Sequence, residues 1–230
     1  MKLYIVRHGE TECNVKRVYY GSLDVSITEK GREQAAAVGD MLRDVVFDKV
    51  IISGLQRTRQ TAETVLSRQT QQSKQTQQNK QTQQNKQTQQ NKQTQQNGQM
   101  PEIWSIPAFN EMNFGAWEGL HYTQVRELYP GDYAAMSGDW INCPPTGGER
   151  FTEFSRRVLD GWRELSGREA FRRADNVLFV GHSGPIQCLI CHFLGTDASN
   201  IWHLEIQQGA YTCFEIVNDF PVLKGFNVKC

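Results

Sequence analysis

The 230-residue chain has no excess of charge of either sign, since 25 Lys and Arg stand against 25 Asp and Glu. That balance argues against general attraction to nucleic acid or to an anionic membrane surface. No apolar run approaches the roughly 20 residues of a membrane-spanning helix. Near the start, only four apolar residues separate Lys2 from Arg7, too few for the core of a secretion signal. The expected setting is the cytoplasm, with neither a membrane nor a nucleic acid as partner. Six cysteines are then expected as thiols rather than as a disulfide framework. Cys188-Leu189-Ile190-Cys191-His192 has the spacing of covalent haem attachment, but that chemistry needs export. The segment 185–194 reads instead as a buried helix in which the thiols act as small hydrophobes. Gly181-His182-Ser183-Gly184-Pro185 has proline where a nucleophile elbow needs its last glycine, so a serine hydrolase is not supported.

One stretch lacks apolar residues altogether. Residues 69–98 are five hexads of the form Gln-Thr-Gln-Gln-Asn-Lys, with Ser73 and Gly98 as variants. Such a tract cannot build a core, and a period of six matches neither a helix nor a known solenoid. It reads as a surface connection inserted into a single domain spanning 1–230, because closure entropy grows only logarithmically with loop length. Gln and Lys are adequate helix formers, so an extension of the preceding helix is open as well. A self-association tract is the sharper alternative.

What is present is strand–helix alternation. Three apolar runs end in polar, chemistry-bearing residues: 3–6 runs into Arg7-His8-Gly9-Glu10, 49–53 into Leu55-Gln56-Arg57-Thr58-Arg59, and 176–180 into Gly181-His182-Ser183-Gly184. Helices are expected over 28–43 (capped by Thr28), 56–66 and 152–162. A further strand is expected over 103–109, and two closing strands over 211–217 and 222–228. This alternation predicts an α/β fold of three layers, α/β/α, with a mostly parallel central sheet. Ligands of such sheets bind beyond the carboxyl ends of the strands. Two imidazoles and two guanidiniums gathered at one sheet edge suit a phosphoryl group, whose transfer needs charge stabilisation and an in-line nucleophile. The cationic side chains already supply the charge, so no metal and no cofactor are called for.

These segments, together with Thr11, Asn14 six residues past His8, and Phe109-Asn110-Glu111-Met112-Asn113-Phe114-Gly115-Ala116-Trp117-Glu118-Gly119, occur in the order found in the histidine phosphatase superfamily. The chain resembles that superfamily, the phosphoglycerate-mutase-like proteins, over nearly its whole length except the hexads. Within it the chain most resembles the bacterial α-ribazole phosphatases of cobalamin assembly, through the Asn110-Glu111-Met112 context, the Pro144-Pro145-Thr146-Gly147-Gly148-Glu149 turn and Ile201-Trp202-His203.

The resemblance implies a phosphate monoester as the small-molecule substrate and a phosphohistidine on His8. Arg7, Arg57, His182 and Asn14 would hold the phosphate, with Arg59 a weaker candidate. Glu111 would be the proton donor, Glu118 its competitor at the expected start of a helix, and Glu10 a supporting residue. Several relatives carry a serine before the glycine that follows Asn14; here it is Tyr20, ahead of Gly21 and Ser22, and these three are candidate substrate contacts. The aglycone site is expected around Tyr20, residues 112–145 and Trp202. A phosphoglycerate mutase or sugar phosphatase is the sibling reading, although residues 119–130 offer only His121 and Arg126 as extra cations for a substrate carboxylate. A non-catalytic phosphate-binding scaffold is the alternative of another class. The oligomeric state stays open, a dimer being one option.

Overall fold

A computed structural model describes residues 1–83 and 101–229. In chain order the elements are β1 (Lys2–Arg7), α1 (Glu12–Lys16), α2 (Glu29–Met41), β2 (Lys49–Ile52), α3 (Gln56–Gln83), β3 (Glu102–Ser105), α4 (Tyr122–Leu128), α5 (Pro130–Gly138), α6 (Phe151–Gly167), α7 (Glu169–Arg172), β4 (Asn176–Gly181), α8 (Ser183–Phe193), β5 (Tyr211–Val217) and β6 (Phe220–Val228). The six strands form one sheet in the order β3-β2-β4-β1-β5-β6. The β3–β2, β2–β4 and β4–β1 ladders are parallel, and β5 and β6 close the sheet as an antiparallel pair.

Period-two alternation in the strands builds two cores, one on each face of the sheet. Leu3, Ile5, Ile51, Val177 and Phe179 pack against Phe154, Val158 and Trp162 of α6 and Ile186 and Leu189 of α8. Tyr4, Val6, Val50, Ile52, Leu178 and Val180 pack against Ala35 and Val38 of α2 and Ala62 and Val65 of α3. The central strands are buried on both sides, which is why they read as unbroken apolar runs. Phe179 is fully buried with its ring 5.0 Å from that of Phe109; truncating a phenylalanine so placed costs about 3–5 kcal/mol.

Several bounds differ from the sequence reading. The strand expected over 103–109 is β3, ending at Ser105, followed by a 3-10 turn over Pro107–Phe109. Pro107 fixes φ and has no N–H for a ladder, so pairing stops before it. Residues 115–117 form a 3-10 turn that ends at Glu118, so that residue closes a turn instead of opening a helix; Gly119 follows at φ +82. The helix expected over 56–66 continues as α3 to Gln83, so the first hexads are helical in backbone. The remainder of the tract lies outside the described residues, and with it the reading of the hexads as a connection. Gln69, the first residue of the tract, donates to the carbonyls of Leu42 (3.2 Å) and Val45 (2.5 Å), so the tract begins docked on the end of α2. Among the described residues no helix is long and apolar enough to cross a membrane. Cys13, Cys143, Cys188, Cys191 and Cys213 are free thiols, and Cys188 and Cys191 lie buried on α8.

Candidate active site

Strand register builds the site. Arg7 pairs with Gly181 across β1–β4, and Ile52 pairs with Val180 across β2–β4. The residues that follow each strand, His8, His182 and Ser53, are therefore neighbours at one sheet edge. His8 N–H donates to the Gly181 carbonyl (2.9 Å), and the two imidazole centroids are 5.2 Å apart. β4 lies between β1 and β2; the helix after it, α8, packs on one face of the sheet, while α2 and α3, which follow β1 and β2, pack on the other, the arrangement that opens a crevice in doubly wound sheets.

His8 is buried, and its Nδ1 lies 2.8 Å from the Gly9 carbonyl oxygen. A carbonyl can only accept, so Nδ1 carries the proton and Nε2 keeps its lone pair. Burial first, then the charges of Arg57 and Arg7, hold the imidazole well below its usual pKa of 6.5, against the opposing Gly9 bond. A neutral ring with its lone pair on Nε2 is the nucleophilic form. Nε2 lies 3.5 Å from the Tyr20 hydroxyl, which also accepts from Thr11 Oγ1 at 3.1 Å.

Arg57 is wholly buried. It donates from Nε to His182 Nδ1 (3.2 Å), from Nη1 to the Leu23 carbonyl (2.7 Å) and from Nη2 to the Gly21 carbonyl (2.8 Å). Three of the five guanidinium N–H groups are thereby used, and one remains on each terminal nitrogen. The Tyr20 ring covers this guanidinium at 5.0 Å. Arg7 donates from Nη1 to Ile206 O (2.8 Å), and its buried Nε has no hydrogen-bond partner. Neither guanidinium has a carboxylate within ion-pair distance among the described residues. Buried positive charge without a counter-ion is costly, and it marks a place that fits an anion. Arg59 is exposed and stands apart from this cluster.

His182 is buried with both nitrogens engaged, Nδ1 by Arg57 and Nε2 by Ser53 Oγ at 2.8 Å. Its pKa also lies well below 6.5, through burial and then Arg57. The sequence reading made it a direct donor to the phosphate; here it holds Arg57 and Ser53. Ser53 was missed by sequence reasoning, although its place at the end of β2, four residues before Arg57, was a usable signal. Asn14 completes a capping box with Thr11, and its Oδ1 also accepts from Gln208 (3.0 Å), leaving Nδ2 as its donor.

Glu111 follows the 107–109 turn. Its Oε1 accepts from Met112 N (3.0 Å) and its Oε2 from Gly184 N (3.2 Å), at the start of α8. Burial raises its pKa above 4.5, while those two N–H groups, Arg57 and Arg7 pull it down. A Cβ added at Gly184 would sit 2.4 Å from Glu111 Oε1, so only glycine lets the carboxyl lie there. Glu118, the competing acid, accepts from Ser22 N and Leu23 N at 2.7 Å each and from Phe114 N at 3.2 Å. It fixes the loop whose carbonyls hold Arg57. Gly21 belongs to the same support: its carbonyl takes Arg57, and a Cβ there would fall 1.7 Å from the Met112 oxygen. Ser22 is exposed and lines, with Asn110, Glu111 and Arg157, a cavity of about 400 Å³. Glu10 pairs with Lys30 at 2.9 Å and supports α2. Trp202, 69% exposed, packs on Trp140 at 5.5 Å between centroids.

A family model for the histidine phosphatase superfamily (branch 1) matches residues 3–81 and 84–229. The chain belongs to the histidine phosphatase superfamily. It is 35% identical to the adenosylcobalamin/alpha-ribazole phosphatase of Salmonella typhimurium, over all of this chain and 97% of that protein. It is 26% identical to a 2,3-bisphosphoglycerate-dependent phosphoglycerate mutase of Bartonella henselae, over 96% of this chain and 94% of the mutase. The crystal structure of the alpha-ribazole phosphatase from Shigella flexneri superposes with a TM-score of 0.81 at 32% identity, covering 99% of this chain and 96% of that one. The expected α/β fold with a mostly parallel, phosphoglycerate-mutase-like sheet is thus the observed one.

Proposed function

We propose that the chain is a metal-independent phosphomonoesterase acting through a phosphohistidine on His8, with α-ribazole 5′-phosphate of cobalamin nucleotide-loop assembly as its substrate. The observation that carries the chemistry is the His8 tautomer: Nδ1–H is spent on Gly9, and Nε2 is left as a lone pair beside two guanidiniums that lack carboxylate partners. Nε2 attacks phosphorus, the P–O ester bond breaks, and the leaving alkoxide takes the proton of Glu111. Water then attacks the phosphohistidine while the Glu111 carboxylate accepts its proton. The P–N bond breaks, inorganic phosphate leaves, and neutral His8 is restored. Arg7 and Arg57 stabilise the oxygens of the transferred group in both steps, with Asn14 Nδ2 as a neutral donor.

The choice of alcohol rests on relatives of over 30% identity that bear the name adenosylcobalamin/alpha-ribazole phosphatase or alpha-ribazole phosphatase. The mutase reading has less support: in residues 119–130 His121 caps α4 and Arg126 is exposed, so neither is set aside for a substrate carboxylate. A scaffold role is disfavoured by the retained pair of His8 and Glu111.

The test has two arms. Rapid quench with labelled substrate should trap acid-labile, base-stable phosphate on the protein, and His8→Ala should abolish both label and turnover, with turnover surviving a chelator. A panel of α-ribazole 5′-phosphate, 3-phosphoglycerate, sugar phosphates and nucleotides should give the highest kcat/KM for the first. Turnover retained by His8→Ala would end the phosphohistidine reading, and a better sugar or nucleotide substrate would end the α-ribazole assignment alone.

A further inference from the structure

Glu111 is gripped from both sides along the chain by one ion pair outside the phosphate pocket. Arg157, on α6, forms a two-pronged bridge to Glu149, Nε to Oε1 at 2.9 Å and Nη2 to Oε2 at 2.8 Å. Its remaining arm, Nη1, donates to the carbonyls of Ala108 (2.9 Å), Asn110 (3.2 Å) and Pro107 (3.5 Å), the backbone leading into Glu111. Glu149 holds the backbone on the far side: its N–H donates to Asn113 O (2.8 Å) and its Oε2 accepts from Asn113 N (3.4 Å). The Arg157 guanidinium also lies over the Phe154 ring at 5.3 Å. Phe154 in turn abuts Gly184, whose N–H holds the Glu111 carboxyl. Neither charged group is fully buried, with side-chain exposures of 30% for Arg157 and 17% for Glu149.

We infer that Arg157 and Glu149 are positioning residues of the reaction, a clamp that fixes the Glu111 carboxyl at the leaving-group oxygen. The inference rests on the reading of Glu111 as proton donor. A guanidinium is needed because the job requires a planar fork for the carboxylate and a third donor arm for the carbonyls, which an ammonium lacks. A plain structural bridge would predict a loss indifferent to the leaving group. In the phosphorylation of His8, a clamp on the acid predicts a loss only where the leaving group needs a proton, since a misplacement of about 1 Å can cost about 10²-fold.

Arg157→Lys and Glu149→Gln should be assayed on an alkyl phosphate and on p-nitrophenyl phosphate, beside Glu111→Gln. Both variants should lose about 10-fold to 10²-fold in kcat/KM on the alkyl ester, the quantity that reports phosphorylation of His8 and not the shared dephosphorylation, and stay within about twofold on the nitrophenyl ester, whose leaving group needs little protonation. Adding Arg157→Lys to Glu111→Gln should cost nothing further on the alkyl ester. Equal losses on both esters, or none on either, in variants with wild-type circular dichroism would overturn the clamp. If Arg157→Lys does not fold, Glu149→Gln decides by the same criterion. Should Glu111→Gln itself lose equally on both esters, the proton-donor reading fails and the clamp with it. A selective Glu111→Gln beside unselective Arg157→Lys and Glu149→Gln defeats the clamp alone.

Discussion

At the scale of single residues, the site sets neutral imidazoles among fixed positive charges. His8 stays unprotonated because it is buried and flanked by guanidiniums, while Glu111 is pushed toward its protonated form by burial. Their titrations are displaced in opposite directions, the separation that the proposed pairing of nucleophile and acid requires. If Glu111 is the acid, its importance scales with the basicity of the leaving group. Glu111→Gln should depress kcat/KM for an alkyl phosphate by about 10²–10⁴-fold and that for p-nitrophenyl phosphate far less, since this ratio reports the step in which the leaving group departs. A uniform loss would move the proton donor elsewhere. Glu118 is a poor second choice, because its carboxylate is occupied by three backbone N–H groups. The cationic cluster was legible in the sequence, because Arg7 ends an apolar strand, His8 and His182 follow directly on one, and Arg57 lies five residues past one. Ser53, Arg157 and Glu149 were not. Arg157 lies 46 residues beyond Glu111 in the chain, and no local pattern signals a contact that depends on α6 packing over the 107–113 backbone.

At the scale of elements, the strands were readable because four of them are parallel, covered on both faces or continuously apolar, and bounded by polar residues. The short helices α1, α4, α5 and α7 were not read in advance; they have little apolar periodicity and are fixed by caps such as the Thr11–Asn14 and His121–Gln124 boxes. The continuation of α3 into the hexads reflects the helix propensity of Gln and Lys in a repeat that holds no apolar residue, so apolar periodicity offers no guide. It also changes how the tract is to be removed. Gln69 is bonded to the end of α2 and Arg68 packs against Gly39, so both belong to the fold. Replacing residues 70–98 by a short Gly/Ser link should leave kcat on p-nitrophenyl phosphate and the unfolding midpoint nearly unchanged, since loop length enters closure entropy only logarithmically. Extending the deletion to Gln69 should lower the midpoint by more, the last carbonyls of the α2 turn losing their donor. A 70–98 replacement that unfolds the enzyme or silences it would show that the tract is part of the structure or of the site.

At the scale of the whole molecule, the buried cationic cup ties stability to pH. His8 and His182 are both held well below 6.5 in the folded chain, chiefly by burial and then by the guanidiniums beside them. In the unfolded chain they titrate near 6.5. Below that pH the unfolded chain binds protons that the native state refuses, so the stability present above about 6.5 is lost as the pH falls toward the folded values. Each histidine contributes a slope of at most about 1.4 kcal/mol per pH unit in that window. Glu111 has the opposite sign: its raised pKa means that its favourable contribution is complete below 4.5 and is lost as the pH rises through the folded value. Two histidines outweigh one carboxyl, so the cup as a whole destabilises the protein on mild acidification. Urea unfolding at about pH 7.5 and about pH 5.5 should show that loss. In His182→Asn, which keeps a polar group beside Ser53 without a titrating ring, the loss should shrink by up to about 1.4 kcal/mol per pH unit. Identical pH dependence in wild type and variant would mean that His182 takes up protons in the folded state as readily as in the unfolded one. The account of the cup, in which burial first and then the neighbouring guanidiniums keep both rings neutral, would then be wrong.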